Sequence, residues 1–336
     1  MSVLGPLRDS SARIAASLGG TKRVDGNGPL PEDADLITQS SQLGARASAW
    51  DAVQAARNIR RPHTIDIVTR VFDRFQELHG DRGFRDDPAI VGGIAELDGR
   101  PVMVVGEQKG ASTEENIHRN FGMPHPEGYR KAIRLYHLAE KFHLPLITLV
   151  DTPGAYPGPE GEERGQAEAI AKSIFTMTRL RTPIVVVILG EGGSGGALAL
   201  AIGDTVLALQ NAIYSVISPE GSAAILWRSP AEAERAAKAA RLAGPDLLDL
   251  GVVDALIREP AGGAHADHEA TAKAVKTALV ASLAKLERIA IPDLLSQRYE
   301  RFRSFGALSE PGSQDAPPPP ARAWWSRLLA ALQVKK

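Results

Sequence analysis

The fold is decided by Leu146-Ile-Thr-Leu-Val-Asp-Thr-Pro-Gly-Ala-Tyr-Pro-Gly158 and Ile184-Val-Val-Val-Ile-Leu-Gly-Glu-Gly-Gly-Ser-Gly-Gly-Ala197. Each stretch is a short apolar run that ends in a glycine-rich loop. Helical patterns over 165–180 and 195–202 separate these runs from each other and from a third run, Val206–Leu209. Nearly continuous apolar strands that alternate with helices are typical of a parallel sheet covered on both faces. The sequence therefore predicts an α/β fold.

The remaining elements follow from apolar periodicity and from turn residues. Helical spacing runs from Thr64 to Leu78 and ends at Gly80, and Asp98-Gly99 is a hairpin turn signal between two strands. The other predicted strands and helices are 89–97, 102–108 and 212–217, and 50–59, 129–142, 231–242 and 271–289.

Three segments are expected along the chain. Residues 1–48 lack periodicity and are predicted to be poorly ordered, and residues 49–308 form the catalytic domain. Residues 309–336 combine a stiff proline run, Pro317–Pro320, with a short basic amphipathic helix. That helix carries Trp324 and Trp325 and is predicted either to dock on a partner or membrane surface or to have no dedicated partner.

Composition excludes several classes of protein. The net charge of −1 over 336 residues argues against a nucleic-acid binder, and the absence of cysteine excludes disulfides, thiol nucleophiles and Cys-ligated zinc. No apolar run reaches the ~18 residues that span a bilayer, so no transmembrane segment is expected. The basic, Ser- and Ala-containing segment 1–24 is either a disordered leader or similar to a transit peptide. A cytoplasmic location is the default expectation.

The two glycine-rich loops are the candidate site. Both follow the carboxyl ends of strands, where ligands gather in parallel α/β folds. Glycines that open a helix leave backbone N–H groups free, and two such donors can stabilise a developing oxyanion. The alternative is that these glycines only permit tight strand-to-helix turns.

Three kinds of chemistry compete for these loops. Gly192-Gly-Ser-Gly-Gly196 fits a G-x-S-x-G pattern, in which Ser194 is the nucleophile of a serine hydrolase. The matching triad partners by order are Asp204 or Asp254, followed by His265 or His268, although the neighbouring glycines favour an amide-lined loop over a strained elbow. A GTPase is excluded because the sequence has no Gly-Lys dipeptide. Enolate chemistry at backbone amides fits both loops.

At these residues the chain resembles a known family. The segments that carry the resemblance are Asp151–Gly158, Glu162–Gln166, Gly190–Ala197 and Tyr214–Gly221, with Ile90–Ile94, Asp98–Val102, Gln108–Gly110, Arg119–Pro124 and Pro126–Lys131 upstream in the same order. Together they resemble the carboxyltransferase alpha subunit of bacterial multi-subunit acetyl-CoA carboxylase, from about residue 61 to 306.

The resemblance implies a crotonase-like spiral of repeated β-β-α units, with N-terminal helices and a disordered tail. It also implies a zinc-ribbon beta subunit as the obligatory partner in an alpha2beta2 assembly, together with a biotin carboxyl carrier protein and a biotin carboxylase. The activity implied is transfer of a carboxyl group from carboxybiotin to acetyl-CoA, giving malonyl-CoA for fatty acid biosynthesis. Biotin would be attached to the carrier, and ATP would be bound only at the level of the complex.

The resemblance also implies the site residues. The backbone amides of Gly195 and Gly196 would hold the biotin ureido oxygen, and a biotin nitrogen would remove the acetyl proton. Expected binding residues are Gly154, Ala155, Tyr156, Gly192, Gly193 and Lys109. His118, His125 and His137 lack ligand spacing, so no metal is assigned to this chain.

Two departures from the family pattern lie beside Gln108-Lys-Gly110, where Glu107 and Ala111 replace the common His and Arg. The acyl-CoA pocket should lie on the partner. An enzyme that acts on another acyl-CoA, such as propionyl-CoA, is therefore the alternative.

Overall fold

The computed structural model describes residues 36–44 and 47–306. The predicted tail helix and most of the N-terminal segment lie outside these residues. Residues 36–44 differ from the expectation of poor order, because Leu36–Ile37 forms a strand paired with Ala255–Ile257.

A single mixed sheet runs through the described part of the chain. Its order is β1-β9-β7-β6-β5-β4-β3-β2, and β8 pairs with the far half of β6. Strands β4, β5, β6, β7 and β9 are parallel, whereas β1, β2 and β3 pair antiparallel to their neighbours. The strands are β1 (Leu36–Ile37), β2 (Arg74–Glu77), β3 (Ile90–Leu97), β4 (Arg100–Glu107), β5 (Leu146–Thr152), β6 (Ile184–Gly193), β7 (Thr205–Leu209), β8 (Ile213–Ser215) and β9 (Ala255–Ile257).

Helices connect these strands and cover the sheet. They are α1 (Ala49–Ala56), α2 (Thr64–Val71), α3 (Thr113–His118), α4 (Pro126–Lys141), α5 (Pro159–Glu163), α6 (Gln166–Arg179), α7 (Ser194–Leu198), α8 (Pro219–Trp227), α9 (Ala233–Ala240), α10 (Gly244–Asp249), α11 (His268–Leu286) and α12 (Ile291–Arg303). Short 3₁₀ helices span Ser40–Gln42, Asn120–Gly122 and Pro230–Glu232.

The core lies between the central strands and these helices. Every residue of β5 is buried, as is all of β6 up to Gly192, which explains why Leu146–Val150 and Ile184–Leu189 are nearly continuous apolar runs. Helix α4 packs on α6 and against β3 and β4, and α11 packs on α2. Two runs of consecutive strands, β3 then β4 and β7 then β8, are each followed along the chain by a helix, so the predicted α/β fold with β-β-α units is confirmed.

Two predicted elements were wrong in ways that have physical explanations. The helix expected from Thr64 to Leu78 ends at Val71, and Arg74–Glu77 is an edge strand on β3. Both a helix and a four-residue strand with alternating burial would turn Phe75 toward the core. The spacing of apolar residues therefore cannot distinguish a helix from a strand at this position. Strand β6 continues through Gly190–Gly193, predicted to be loop, because Glu191–Gly193 pairs with β8.

The parallel strands bring their carboxyl ends to one edge of the sheet. Residues 107–110, 151–158 and 190–197 therefore meet there. This edge contains both glycine-rich loops.

Candidate active site

The turn from β6 into α7 is sharp. Helix α7 begins at Ser194, the residue after the last one of β6, and Ser194 has a φ of 53°. A left-handed backbone is unfavourable for a residue with a side chain, so this turn is strained. The sequence favoured an amide-lined loop over a strained elbow, and the strain at Ser194 shows that the turn does have an elbow-like backbone. Its serine side chain is exposed.

The second loop lies directly against the first, backbone to backbone. A Cβ atom placed on Gly193 would lie 2.1 Å from the carbonyl oxygen of Pro153, and one on Gly196 would lie 2.4 Å from the amide nitrogen of Ala155. No side chain fits at such distances. These two glycines are required by the contact between loops, whatever else they do.

Gly195 differs from its neighbour. A Cβ there would meet only Ile170, at 3.6 Å, so the position has room for a methyl group. Gly195 and Gly196 both lie in the first turn of α7, where N–H groups have no preceding helical carbonyl to bind. The backbone can therefore present both amides as donors to a developing negative charge.

The first loop is held in shape by its own hydrogen bonds and by a neighbouring segment. The hydroxyl of Thr152 donates to the carbonyl of Gly154 and accepts from the N–H of Gly154, at 2.7 and 3.0 Å. The N–H of Tyr156 donates to the carbonyl of Pro124 at 3.0 Å, and its ring stacks on His125 with centroids 4.1 Å apart. Gly154, Ala155 and Tyr156 remain partly exposed beside Gly193 and Gly195.

Gly192 is placed differently from the other predicted binding residues. It is buried, and a Cβ on it would lie 2.7 Å from the ring of Tyr214. This glycine lets β8 approach β6.

Lys109 points into the protein. Its ammonium lies 3.0 Å from Asp151 Oδ1 and 2.7 Å from Glu191 Oε2. Burial lowers the pKa of Lys109, but the two carboxylates outweigh burial, and the net shift is upward. The same contact acts on Asp151, whose pKa burial would raise but which Lys109 and His63 hold well below its usual range. Lys109 therefore joins the ends of β4, β5 and β6 through charge.

Arg57 extends this ion-pair network to two helices. From the end of α1 it contacts Glu191 Oε1 at 2.6 Å, and it binds both carboxylate oxygens of Glu220, at 2.6 and 3.2 Å. Glu220 lies in the first turn of α8, within Ser218-Pro-Glu-Gly221. A chain of ion pairs from Glu220 through Arg57 and Glu191 to Lys109 therefore fixes α8 relative to the second loop.

Glu107 is the most deeply buried acid at this edge. One of its oxygens, Oε2, accepts from the N–H of Asp151 at 3.1 Å, while Oε1 has no partner in the described part of the chain. Burial, followed by the charge of Asp151, raises the pKa of Glu107 well above its ordinary value. The surroundings of this carboxyl therefore favour its neutral form. His63 Nδ1 lies 2.8 Å from the other side of Asp151.

The residues proposed for a serine hydrolase do not assemble. Asp204 and Asp254 precede β7 and β9, so they lie at the opposite edge of the parallel strands from Ser194. Each carboxylate instead pairs with an arginine of α12, at 2.7 and 2.5 Å. His268 Nε2 contacts the carbonyl of Arg60 at 2.7 Å.

Within residues 36–44 and 47–306, no group of three or more His, Cys, Asp or Glu side chains has the arrangement of a metal site. None of the helices described there is long and apolar enough to cross a membrane.

A sequence family described as acetyl co-enzyme A carboxylase carboxyltransferase-like matches residues 33–306, which include both loops and the ion-pair network. The chain belongs to this family. The identification confirms the resemblance inferred from the motifs.

Named relatives agree with this carboxyltransferase family. The acetyl-coenzyme A carboxylase carboxyl transferase subunit alpha of Methylococcus capsulatus is 53% identical over 284 residues, covering 84% of this chain and 88% of the relative. The subunit of the same name from Thermus thermophilus is 59% identical over 262 residues, covering 78% and 83%.

Solved structures support the carboxyltransferase fold at lower identity. Transcarboxylase 12S, with hydrolysed methylmalonyl-coenzyme A bound, aligns with a TM-score of 0.56 at 19% identity, over 79% of this chain and 46% of that one. The beta subunit of P. aeruginosa geranyl-CoA carboxylase aligns with a TM-score of 0.51 at 17% identity, over 74% and 49%. The chain spans about half the length of these two solved proteins.

Sequence reasoning found the loops but missed the network beneath them. Asp151 and Glu191 were seen only as members of the loop motifs, and Arg57, Glu220 and His63 were not assigned to the site. Charged residues at the ends of adjacent buried strands were the available signal. Arg57 and Glu220 are 163 positions apart, and no sequence pattern indicates that they are in contact.

Proposed function

We propose that this chain is the alpha subunit of the carboxyltransferase of acetyl-CoA carboxylase, which transfers a carboxyl group from biotin to acetyl-CoA. The observation that carries the proposal is the close packing of two glycine-rich loops, with Gly195 and Gly196 in the first turn of the helix that follows the second loop. Family membership supports the reaction, and we propose that it takes place at these loops.

The residues present suit the biotin ureido group. A Cβ on Gly154 would meet no atom within 4 Å, so the first loop borders open space, and no side chain projects from Gly154, Gly193 or Gly195 into it. Biotin, when its carrier delivers it, would supply the carboxyl group and the nitrogen that takes the acetyl proton. The chain itself would supply fixed N–H donors at the ureido oxygen.

These donors explain how the chain can act without a side-chain acid or base at the loops. Charge that develops on an oxygen is stabilised by preorganised amides, and removal of one such donor costs roughly 2.7–4 kcal/mol in other enzymes. Short loops braced against each other keep the donors fixed before reaction, which is the source of the effect.

We propose Lys109 as a positioning residue, in place of the expected direct contact with substrate. Its ammonium is occupied by Asp151 and Glu191, and these two carboxylates lie immediately before the first loop and beside the second. Tyr156 remains a candidate for contact with biotin, since its stacked ring is partly exposed.

The proposed partners are a zinc-ribbon beta subunit, in an alpha2beta2 assembly, and the biotin carboxyl carrier protein with its biotin carboxylase. We place the complex in the cytoplasm, where fatty acid synthesis draws on malonyl-CoA.

The proposal is tested against a hydrolase by Ser194→Ala. We expect this variant, mixed with the beta subunit, to retain carboxyl transfer, because the change keeps the Ser194 N–H and removes only an exposed hydroxyl. The chain alone should not hydrolyse p-nitrophenyl acetate. Loss of transfer in Ser194→Ala without loss of the mixed complex, or esterase activity of the chain alone, would contradict the proposal.

A further inference from the structure

A basic groove lies between α4 and α6, away from the glycine-rich loops. Arg130, Arg134, His137 and Lys141 follow one another along one side of α4, and Lys172 of α6 faces them. The cavity has a volume of about 470 Å³, with Ile133 and Leu138 as its apolar part. This volume is within the range of small-molecule sites.

Positive charge in the basic groove is not balanced by its own acids. Asp81 is the single carboxylate among the lining residues, and it is already used: it pairs with Arg130 at 2.9 Å and accepts from the N–H groups of Gly83 and Phe84. Within the described residues, Arg134, Lys141 and Lys172 have no carboxylate within 4 Å.

Arg134 is held in place by backbone carbonyls, and the carboxylates of Asp86 and Asp81 act on it only from beyond ion-pair distance. Its Nε donates to the carbonyl of Gly80 at 2.9 Å, and its NH2 donates to the carbonyl of His79 at 3.2 Å. Burial, and then the nearby charge of Arg82, lower the pKa of Arg134, although a guanidinium stays charged in any case. A fixed guanidinium among other cations is prepared to receive an anion, because little side-chain freedom remains to be lost.

We propose that the basic groove binds a small organic polyphosphate, a molecule with two or three linked phosphate groups and an apolar part. Arg134 and Lys141 are seven residues apart, about 10 Å along the helix, so a ligand with linked phosphates can place a separate phosphate at each cation. Lys172 closes the opposite side, and Ile133 and Leu138 offer a contact for the organic part. A long nucleic acid is disfavoured by the concave shape and by the chain's net charge of −1. This site does not depend on the carboxyltransferase proposal.

The test is calorimetric titration of the full chain with ADP and, separately, with tripolyphosphate, at constant ionic strength. We expect saturable binding of both at one molecule per chain. Arg134→Gln and Lys172→Gln should each weaken binding by roughly tenfold, the usual effect of losing one hydrogen bond to a charged group. Lys238→Gln, which removes an exposed lysine of α9, is the matched control and should leave affinity unchanged.

Arg134 also supports the loop at 79–80, so its variant requires a check of folding by circular dichroism. Lys172 is exposed, and its variant tests the site even if Arg134→Gln unfolds. Absence of saturable binding, or equal weakening by Lys238→Gln, would overturn the proposal. Stronger binding of a 12-base-pair DNA duplex than of ADP would also overturn it and identify a nucleic-acid surface instead.

Discussion

Replacing Gly196 by alanine perturbs the contact between the two loops in a way that the structure makes calculable. The new Cβ would lie 2.4 Å from Ala155 N and 2.6 Å from Gly154 C, whereas ordinary contacts begin at 3.4 Å. The loops must therefore separate by about 1 Å. Overpacking of this kind costs about 1–3 kcal/mol, which lowers Tm by roughly 2–12 °C for a domain of this size.

The effect on catalysis should exceed the effect on stability. A 1 Å displacement of a positioned group costs on the order of 100-fold in rate, and the amide of Gly196 moves with the loop. The assay is carboxyl transfer by the variant mixed with the beta subunit, at a temperature well below Tm. Transfer should fall about 100-fold with the complex still assembled.

Gly195→Ala is the matched control for packing. Its Cβ meets only Ile170, at 3.6 and 3.8 Å, so its Tm should equal or slightly exceed that of the wild type. If Gly196→Ala also kept the wild-type Tm and full transfer activity, the inference that these loops are in backbone contact and that Gly196 supplies a donor would be refuted.

Three further predictions concern buried charge. Lys109→Met should destabilise the chain by about 3–5 kcal/mol, because it removes the cation that Asp151 and Glu191 share and leaves them only His63 and Arg57, and Lys109→Arg should recover part of this in thermal unfolding. A Lys109→Met variant as stable as the wild type would rule out the network. Glu107→Gln should be more stable than the wild type at neutral pH, because folding raises the pKa of Glu107. The contribution of Glu107 to the free energy of unfolding is therefore full below its unfolded pKa and declines as the pH rises toward its folded pKa. Denaturant titrations from pH 4 to 8 should show the advantage of glutamine growing with pH, and a constant difference would argue against a raised pKa of Glu107. Arg298→Met, which strands the buried Asp204, should lower unfolding free energy by about 3–5 kcal/mol in urea; a change below about 1 kcal/mol would mean that the pair is not structurally required.

The central sheet could be predicted because its strands are buried on both faces. Leu146–Val150 and Ile184–Leu189 have no polar residue except Thr148, whose hydroxyl donates to the carbonyl of Leu200. Short runs of this kind between helical patterns leave few alternatives. Because ligand-binding loops follow the carboxyl ends of parallel strands, the sequence alone predicts that both loops lie at one edge of the sheet.

Elements at the margins of the sheet could not be predicted as well. Strand β9 has only three residues, and α8 is apolar around its circumference, so neither gives a clear period. In Arg74–Glu77, an inward Phe75 fits a helix as well as a strand. Only the pairing of this segment with β3 shows that it is a strand. Tertiary contacts determine the secondary structure of such segments.

The candidate site was likewise predictable only in part. Glycines that open a helix after a strand are visible in the sequence, whereas the reason for Gly193 and Gly196 is a contact with a loop about 40 residues earlier in the chain. Likewise, Lys109 was recognised as a charge at a strand end. Its partners Asp151 and Glu191 became evident only from the register of β4, β5 and β6.

The most direct test of the central claim is the reverse reaction, in which malonyl-CoA and free biocytin are incubated with this chain, with its zinc-ribbon partner, and with both together. Formation of acetyl-CoA is measured in each case. We predict acetyl-CoA formation that depends on biocytin and occurs only with the mixture. A stable mixed complex that does not convert malonyl-CoA, or a chain that forms no complex with the partner, would contradict the assignment of this chain as the biotin-facing half of a carboxyltransferase.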